Sequence, residues 1–143
     1  MPSVRLNASL HFVWATWNRL PLVTEEIERE VHRYIETVAR EDGCTVLAVG
    51  GMPDHIHLLV MMTNTASFAE LMQHVKGGSS RLVSSRLKPG EWFRWQGSYG
   101  VDSVRARDRA RVIAYIENQK QHHDGGTLWP EAENTGDADL PEE

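Results

Sequence analysis

Apolar and polar positions alternate through Leu6–Asn18 (LNASLHFVWATWN), with Leu10, Phe12, Trp14 and Thr16 on one side of the alternation. That pattern, rich in β-branched and aromatic residues, predicts a first strand. Thr24 followed by Glu25-Glu26-Ile27 reads as a helix start with acids in its first turn. Ile27, Val31, Tyr34, Ile35 and Val38 then recur at spacings of three and four, giving an amphipathic helix that ends near Gly43. Cys44–Val49 and Ile56–Met62 are apolar runs separated by Gly50-Gly51-Met52-Pro53-Asp54, which predicts two strands and a turn. Ser67 caps a second helix carrying Phe68, Leu71, Met72 and Val75, extending to Leu82 and Val83. Pro89-Gly90 breaks the chain, Trp92–Gln96 and Tyr99–Val104 read as short strands around Gly97, and Arg109–His122 is a final helix. There is no internal repeat or low-complexity tract. The order β-α-β-β-α-β(β)-α predicts an α+β fold: a ferredoxin-like or RRM-like antiparallel sheet with helices on one face, plus a C-terminal helix bearing Tyr115. Fold alone assigns no chemistry.

The 143 residues, 41% hydrophobic and 24% charged, suit one folded domain and exclude overall disorder. A single cysteine excludes a disulfide framework and a cysteine-rich zinc module, so a reducing compartment is expected. The N-terminal Met1-Pro2-Ser3-Val4-Arg5 lacks a signal-peptide pattern, and no stretch approaches about 18 apolar residues, so neither secretion nor membrane insertion is expected.

Charge changes the picture more. The net charge is −5, but residues 124–143 hold seven acids and no Lys or Arg, leaving 15 basic against 13 acidic residues in 1–123. Two parts are therefore expected, a domain over 1–123 and an acidic, flexible tail over 124–143. Within His74–Arg111, nine basic residues face three acidic ones, a local density that suits a polyanionic partner and equally a solvated charged face.

Candidate chemistry begins at Pro53-Asp54-His55-Ile56-His57. Residues two apart on a strand share a face, so His55 and His57 project together while Ile56, Leu58 and Val60 point into the helices. Two imidazoles on a rigid strand make a bidentate metal site or a phosphate clamp; the plain alternative is a polar pair on an exposed sheet face. On the last helix Val112, Ile113 and Ile116 form the buried stripe, with Tyr115, Gln119 and His122 a turn apart on a neighbouring one. A phenol beside an amide oxygen offers a nucleophile and a third ligand, or else a half-buried core tyrosine bonded to Gln119 or water.

Together, Gly-Met-Pro-Asp54-His55-Ile56-His57-Leu-Leu-Val and the later Tyr115-Ile-Glu-Asn-Gln119 resemble the single-tyrosine HUH (histidine, hydrophobic, histidine) transposases of bacterial insertion sequences, of the IS200-like kind. The resemblance spans roughly residues 7–130 and extends to Phe12-Val13-Trp14, Lys76-Gly77-Gly78-Ser79-Ser80, Trp95-Gln96-Gly97-Ser98-Tyr99-Gly100 and the closing Gln119-x-x-His122-His123. It implies a DNA transposase that cuts and rejoins single-stranded DNA at hairpin-bearing element ends. Tyr115 would attack phosphorus, giving a 5′-phosphotyrosine link and a free 3′-hydroxyl. His55, His57 and Gln119 would hold a divalent cation, Mg²⁺ or Mn²⁺. The sequence names no clear base for Tyr115, and metal-bound water is the expectation. Asp54 and Glu117 lie near the motif but are not counted as ligands. The resemblance further implies a bacterial or archaeal cytoplasmic protein. It would form a homodimer whose tyrosine helix completes the partner's histidine pair through a mobile segment near Val104–Arg107.

Arg81, Arg86, Lys88, Arg94, Arg105, Arg107 and Arg109 are candidate phosphate contacts, and Trp92, Trp95 and Tyr99 candidate stacking surfaces. Two rival readings share these residues: a non-catalytic DNA-binding protein derived from a transposase, and a metal-dependent phosphodiesterase in which Tyr115 is structural.

Overall fold

In the computed structural model, residues 9–62, 67–121 and 129–136 are described. The elements are β1 (Ser9–Ala15), α1 (Glu28–Glu41), β2 (Thr45–Met52), β3 (His55–Met61), α2 (Phe68–Leu82), β4 (Gly100–Val104) and α3 (Arg109–Glu117). The strands form one sheet in the order β2-β3-β1-β4, every neighbouring pair antiparallel. This is the expected α+β architecture.

Strand alternation sorts the side chains into two cores. Phe12, Trp14, Ile56, Leu58 and Val60 turn to one face, where Val31, Ile35 and Ala39 of α1 and Leu71, Met72 and Val75 of α2 bury them. Each such burial contributes about 1.5–3 kcal/mol. The opposite face carries Ala48, Leu59 and Val104, which Val112 and Ile116 of α3 cover. His11, His55 and His57 lie on that second face by the same alternation. Gly50, directly opposite His57 in the β2–β3 register, permits the close approach of α3: a Cβ there would stand 2.3 Å from the Ile116 carbonyl oxygen.

Several expected boundaries move. Helical pairing proper starts at Glu28, after the Thr24 carbonyl has accepted the amides of Ile27 and Glu28. Gly50 and Gly51 belong to β2 rather than to the turn, which shrinks to Pro53-Asp54 because the strand must pass beneath α3. Ser67 caps α2 as expected, its hydroxyl accepting from the Glu70 amide. Trp92–Gln96 is not a strand; it makes one bridge, Thr16 to Trp95. Side-chain burial holds this segment instead of a ladder: Phe93 and Trp95 enter the first core, Trp95 Nε1 donates to Ser79 Oγ at 3.0 Å, and Lys76 Nζ donates to the Gln96 carbonyl at 2.6 Å. The last helix is unbroken to Glu117; Asn118 leaves helical geometry, residues 119–121 are helical again, and His122 and His123 lie outside the described residues.

Of the expected tail, 124–143, only residues 129–136 are described. Residues 129–136 form a strap across the second face, with a 3-10 turn at Pro130–Glu133 and Ala132 only 4% exposed. Gly100 admits it, since a Cβ there would stand 2.0 Å from the Asn134 carbonyl oxygen. Counting charges hid the apolar anchors Trp129 and Ala132. Among the described residues, no helix is long and apolar enough to cross a membrane.

Candidate functional site

His55 and His57 are both fully buried, so the sheet face that carries them is closed over rather than exposed. Each ring is held from behind by its Nδ1. His55 Nδ1 donates to Asp54 Oδ1 at 2.7 Å, and Asp54 is in turn paired with Arg19 at 3.3 Å. His57 Nδ1 lies 2.8 Å from His11 Nε2, the two rings stacked 5.0 Å apart at 16°. Both Nε2 atoms therefore face the space beneath α3 and the strap.

Three groups converge there. Gln119 turns its Oε1 to within 3.2 Å of His55 Nε2 while its amide donates to the Tyr115 carbonyl at 3.1 Å. Glu133, from the strap, sets one carboxylate oxygen 3.1 Å from His55 Nε2 and the other 3.1 Å from His57 Nε2. Tyr115 presents its ring edge to His57, donates its hydroxyl to Glu133 and accepts the Trp129 amide at 3.0 Å. The expected meeting of two imidazoles, a phenol and an amide takes place within a single chain. Val104–Arg107, the expected mobile segment, is the end of β4 and a 3-10 turn that runs directly into α3.

The electrostatics follow from burial and these bonds. Burial disfavours a charge on His55, but the carboxylates of Asp54 and Glu133 outweigh it and raise its pKa to about 9. Burial wins at His57 and lowers its pKa. At His11 burial, reinforced by His57, lowers the pKa to about 3, so that ring is neutral. Burial would raise the pKa of Glu133, yet the His55 and His57 rings 3.1 Å from its two oxygens hold it far below the usual carboxylate range. Burial and the Glu133 carboxylate push the Tyr115 hydroxyl up to about 12.

The donor set fits a divalent cation. His55, His57 and Glu133 offer ligand atoms all within 4.8 Å of one another. Neighbouring donors are separated by 3.1–3.2 Å, against the about 3 Å between adjacent ligands of an ion bound at about 2.1 Å. His57 Nε2 is buried and makes no hydrogen bond of acceptable angle, although Glu133 is close, which suits a lone pair facing a cation. Two imidazoles with oxygen donors suit Mn²⁺ as well as Mg²⁺.

Glu133 and His11 escaped the sequence reading. Glu133 lies in an acidic stretch whose composition gives no sign of packing, and His11 alternates with the apolar positions of β1 as any polar residue on the other face would. The spacing of the two imidazole positions, on adjacent strands of a ferredoxin-like order, was the available signal for His11.

The candidate DNA contacts are scattered. Arg81, Arg86, Arg105 and Arg107 are exposed, the first pair at the end of α2 and the second in the turn before α3. Lys88 pairs with Glu26 at 2.6 Å, Arg94 lies over the Trp17 ring at 4.8 Å, and Arg109 is half-buried. Of the candidate stacking surfaces, Trp92 is 56% exposed, whereas Trp95 is fully buried and serves the core. Tyr99 packs against Phe12.

Comparison with known proteins agrees with this geometry. The family model for "Transposase IS200 like" matches residues 5–119. The chain is 28% identical over 114 residues to the ISDra2 transposase TnpA of Deinococcus radiodurans, covering 76% of this chain and 81% of the relative. A crystal structure of a candidate transposase from D. radiodurans R1 superposes with a TM-score of 0.63 at 30% identity, covering 83% of this chain and 98% of that one. The fold is shared with a REP-associated tyrosine transposase solved bound to a REP hairpin, at TM-score 0.63 and 16% identity over 100% and 93% of the two chains. The chain belongs to the IS200-like transposase family, with the DNA-cleaving role which that family implies.

Proposed function

We propose that this protein cuts and rejoins single-stranded DNA at hairpin-bearing ends through a covalent link to Tyr115. The observation that carries the reading is the convergence of Tyr115 on the buried His55–His57 pair of its own chain. Attack by the Tyr115 hydroxyl oxygen on a backbone phosphorus forms the phosphotyrosine bond and breaks the bond to the leaving 3′-oxygen. Because one ester replaces another, the linkage keeps the energy needed to reseal.

His55, His57 and Gln119, joined by Glu133, would hold the cation, Mg²⁺ or Mn²⁺. When bound it polarises the phosphate and offsets the charge that builds on its oxygens. Asp54 orients His55, and α3 carries the nucleophile, with the amide ligand four residues on, just past the end of the helix, its side chain bonded back to the Tyr115 carbonyl. Exposed Arg81, Arg86, Arg105 and Arg107 supply phosphate contacts, with Lys88, Arg94 and Arg109 behind them and Trp92 offering a stacking surface. The work is done in the cytoplasm of a bacterial or archaeal cell.

Incubation with hairpin-bearing single-stranded DNA and Mn²⁺ tests the reading. It yields a denaturation-resistant protein–DNA adduct that Tyr115→Phe abolishes. Cleavage without an adduct supports a phosphodiesterase instead, and binding without cleavage a retired DNA-binding protein.

A further inference from the structure

We propose that His11 is a positioning residue: it accepts the Nδ1 hydrogen of His57 and so fixes the tautomer that leaves His57 Nε2 free for the cation. The proposal rests on the reading above, in which His57 is a ligand.

Three observations carry it. His11 and His57 sit on adjacent strands, β1 and β3, with Val13 as the direct partner of His57 and His11 two residues along on the same face. Their rings are stacked, and His11 Nε2 lies 2.8 Å from His57 Nδ1, a separation that requires one proton shared between two nitrogens. His57 Nε2 is buried and faces the site beside Glu133 at 3.1 Å, so for that nitrogen to take a cation the ring proton must stand on Nδ1.

The alternative placement, a proton on His11 Nε2 donated to His57 Nδ1, would put the remaining His57 hydrogen on Nε2 and block coordination there. His11 is 3% exposed, and its Nε2, aimed at His57 Nδ1, can serve as the acceptor. The paired arrangement at His55 differs, since there a carboxylate takes the Nδ1 hydrogen. The two ligands are therefore supported unequally, one by an anion and one by a neutral ring. Outer-shell partners of this kind govern ligand orientation and basicity.

The experiment is Mn²⁺ titration by calorimetry on the full-length wild type, His11→Phe, which keeps a stacking ring without an acceptor, and His11→Gln, whose amide oxygen reaches where Nε2 stood. His11→Phe is expected to weaken Mn²⁺ binding about 10–100-fold, with His11→Gln recovering most of it. Nitrogen-15 spectra of the Mg²⁺-loaded wild type are expected to show His57 protonated at Nδ1. Unchanged Mn²⁺ affinity in His11→Phe, a His11→Gln variant as weak as His11→Phe, or a loaded His57 protonated at Nε2 overturns the His11 role. Should His11→Phe fail to fold, the His11→Gln titration and the wild-type spectra decide. A wild type that takes up no Mn²⁺ overturns the metal reading itself, a result distinct from any of these.

Discussion

The Tyr115 hydroxyl donates to the carboxylate of Glu133, eighteen residues further along the chain, and the same carboxylate spans the Nε2 atoms of His55 and His57. One strap residue thus ties the candidate nucleophile to both imidazoles. It adds to the burial that raises the Tyr115 pKa, since losing the phenolic proton would set two negative oxygens side by side.

Replacing the nucleophile tests the chemistry apart from binding. Tyr115→Phe is expected to form no covalent adduct while retaining affinity for hairpin DNA, read by gel shift. It removes the bonds to Glu133 and to the Trp129 amide and leaves partly buried groups unpaired, so a loss of about 1–3 kcal/mol in urea unfolding is expected.

Glu133→Gln separates ligand from packing residue. If the carboxylate joins the donor set, the neutral amide of similar shape binds Mn²⁺ at least about 10-fold more weakly in calorimetry, taking about 1.4 kcal/mol per factor of ten. Equal affinity would remove Glu133 from the ligand set.

Cation uptake should depend on pH in a definite direction. Both nitrogens of metal-free His55 face oxygens, those of Asp54, Gln119 and Glu133, with neutral His57 beside it and Arg19 behind Asp54. Its pKa of about 9 means that binding below that pH must displace a proton. Apparent Mg²⁺ affinity is therefore expected to rise, by up to about tenfold per unit, between pH 6.5 and 8.5. Asp54→Asn removes one carboxylate and should flatten the rise.

A site completed within one chain has a genetic signature. Mixing His55→Ala chains with Tyr115→Phe chains is expected to restore no adduct formation. Recovery to an appreciable fraction of wild-type activity would show that tyrosines cross between subunits.

Glycines at the two close approaches give stability tests remote from the chemistry. Gly50→Ala forces α3 away from β2 and is expected to cost about 1–3 kcal/mol in urea unfolding. Gly100→Ala presses on the strap alone, so faster proteolysis near residues 129–136 with a nearly unchanged unfolding midpoint is expected.

Strand alternation made most of this legible. It placed Phe12, Trp14, Ile56, Leu58 and Val60 in one core and both motif histidines on the other face. Helical spacing put Tyr115 and Gln119 on neighbouring turns that reach them. Periodicity could not show that Trp95 leaves strand geometry for the core, because apolar burial and ladder pairing leave the same imprint on a short segment. Nor could composition show that Glu133 comes back to the site: its neighbourhood is acidic, and only the contacts of Trp129 and Ala132 bring it home. Arg111 stacked on Trp129 at 4.3 Å is part of that anchoring, a use that a count of basic residues assigns to DNA.

The strap has a kinetic consequence. A phosphate arriving from solution meets a rival anion built into the same polypeptide, present at an effective concentration on the order of mM, whatever the dilution of the protein. The rate constant for reaction with DNA is then scaled by the fraction of time that the resident carboxylate stands aside, a fraction set within the chain and unchanged by dilution.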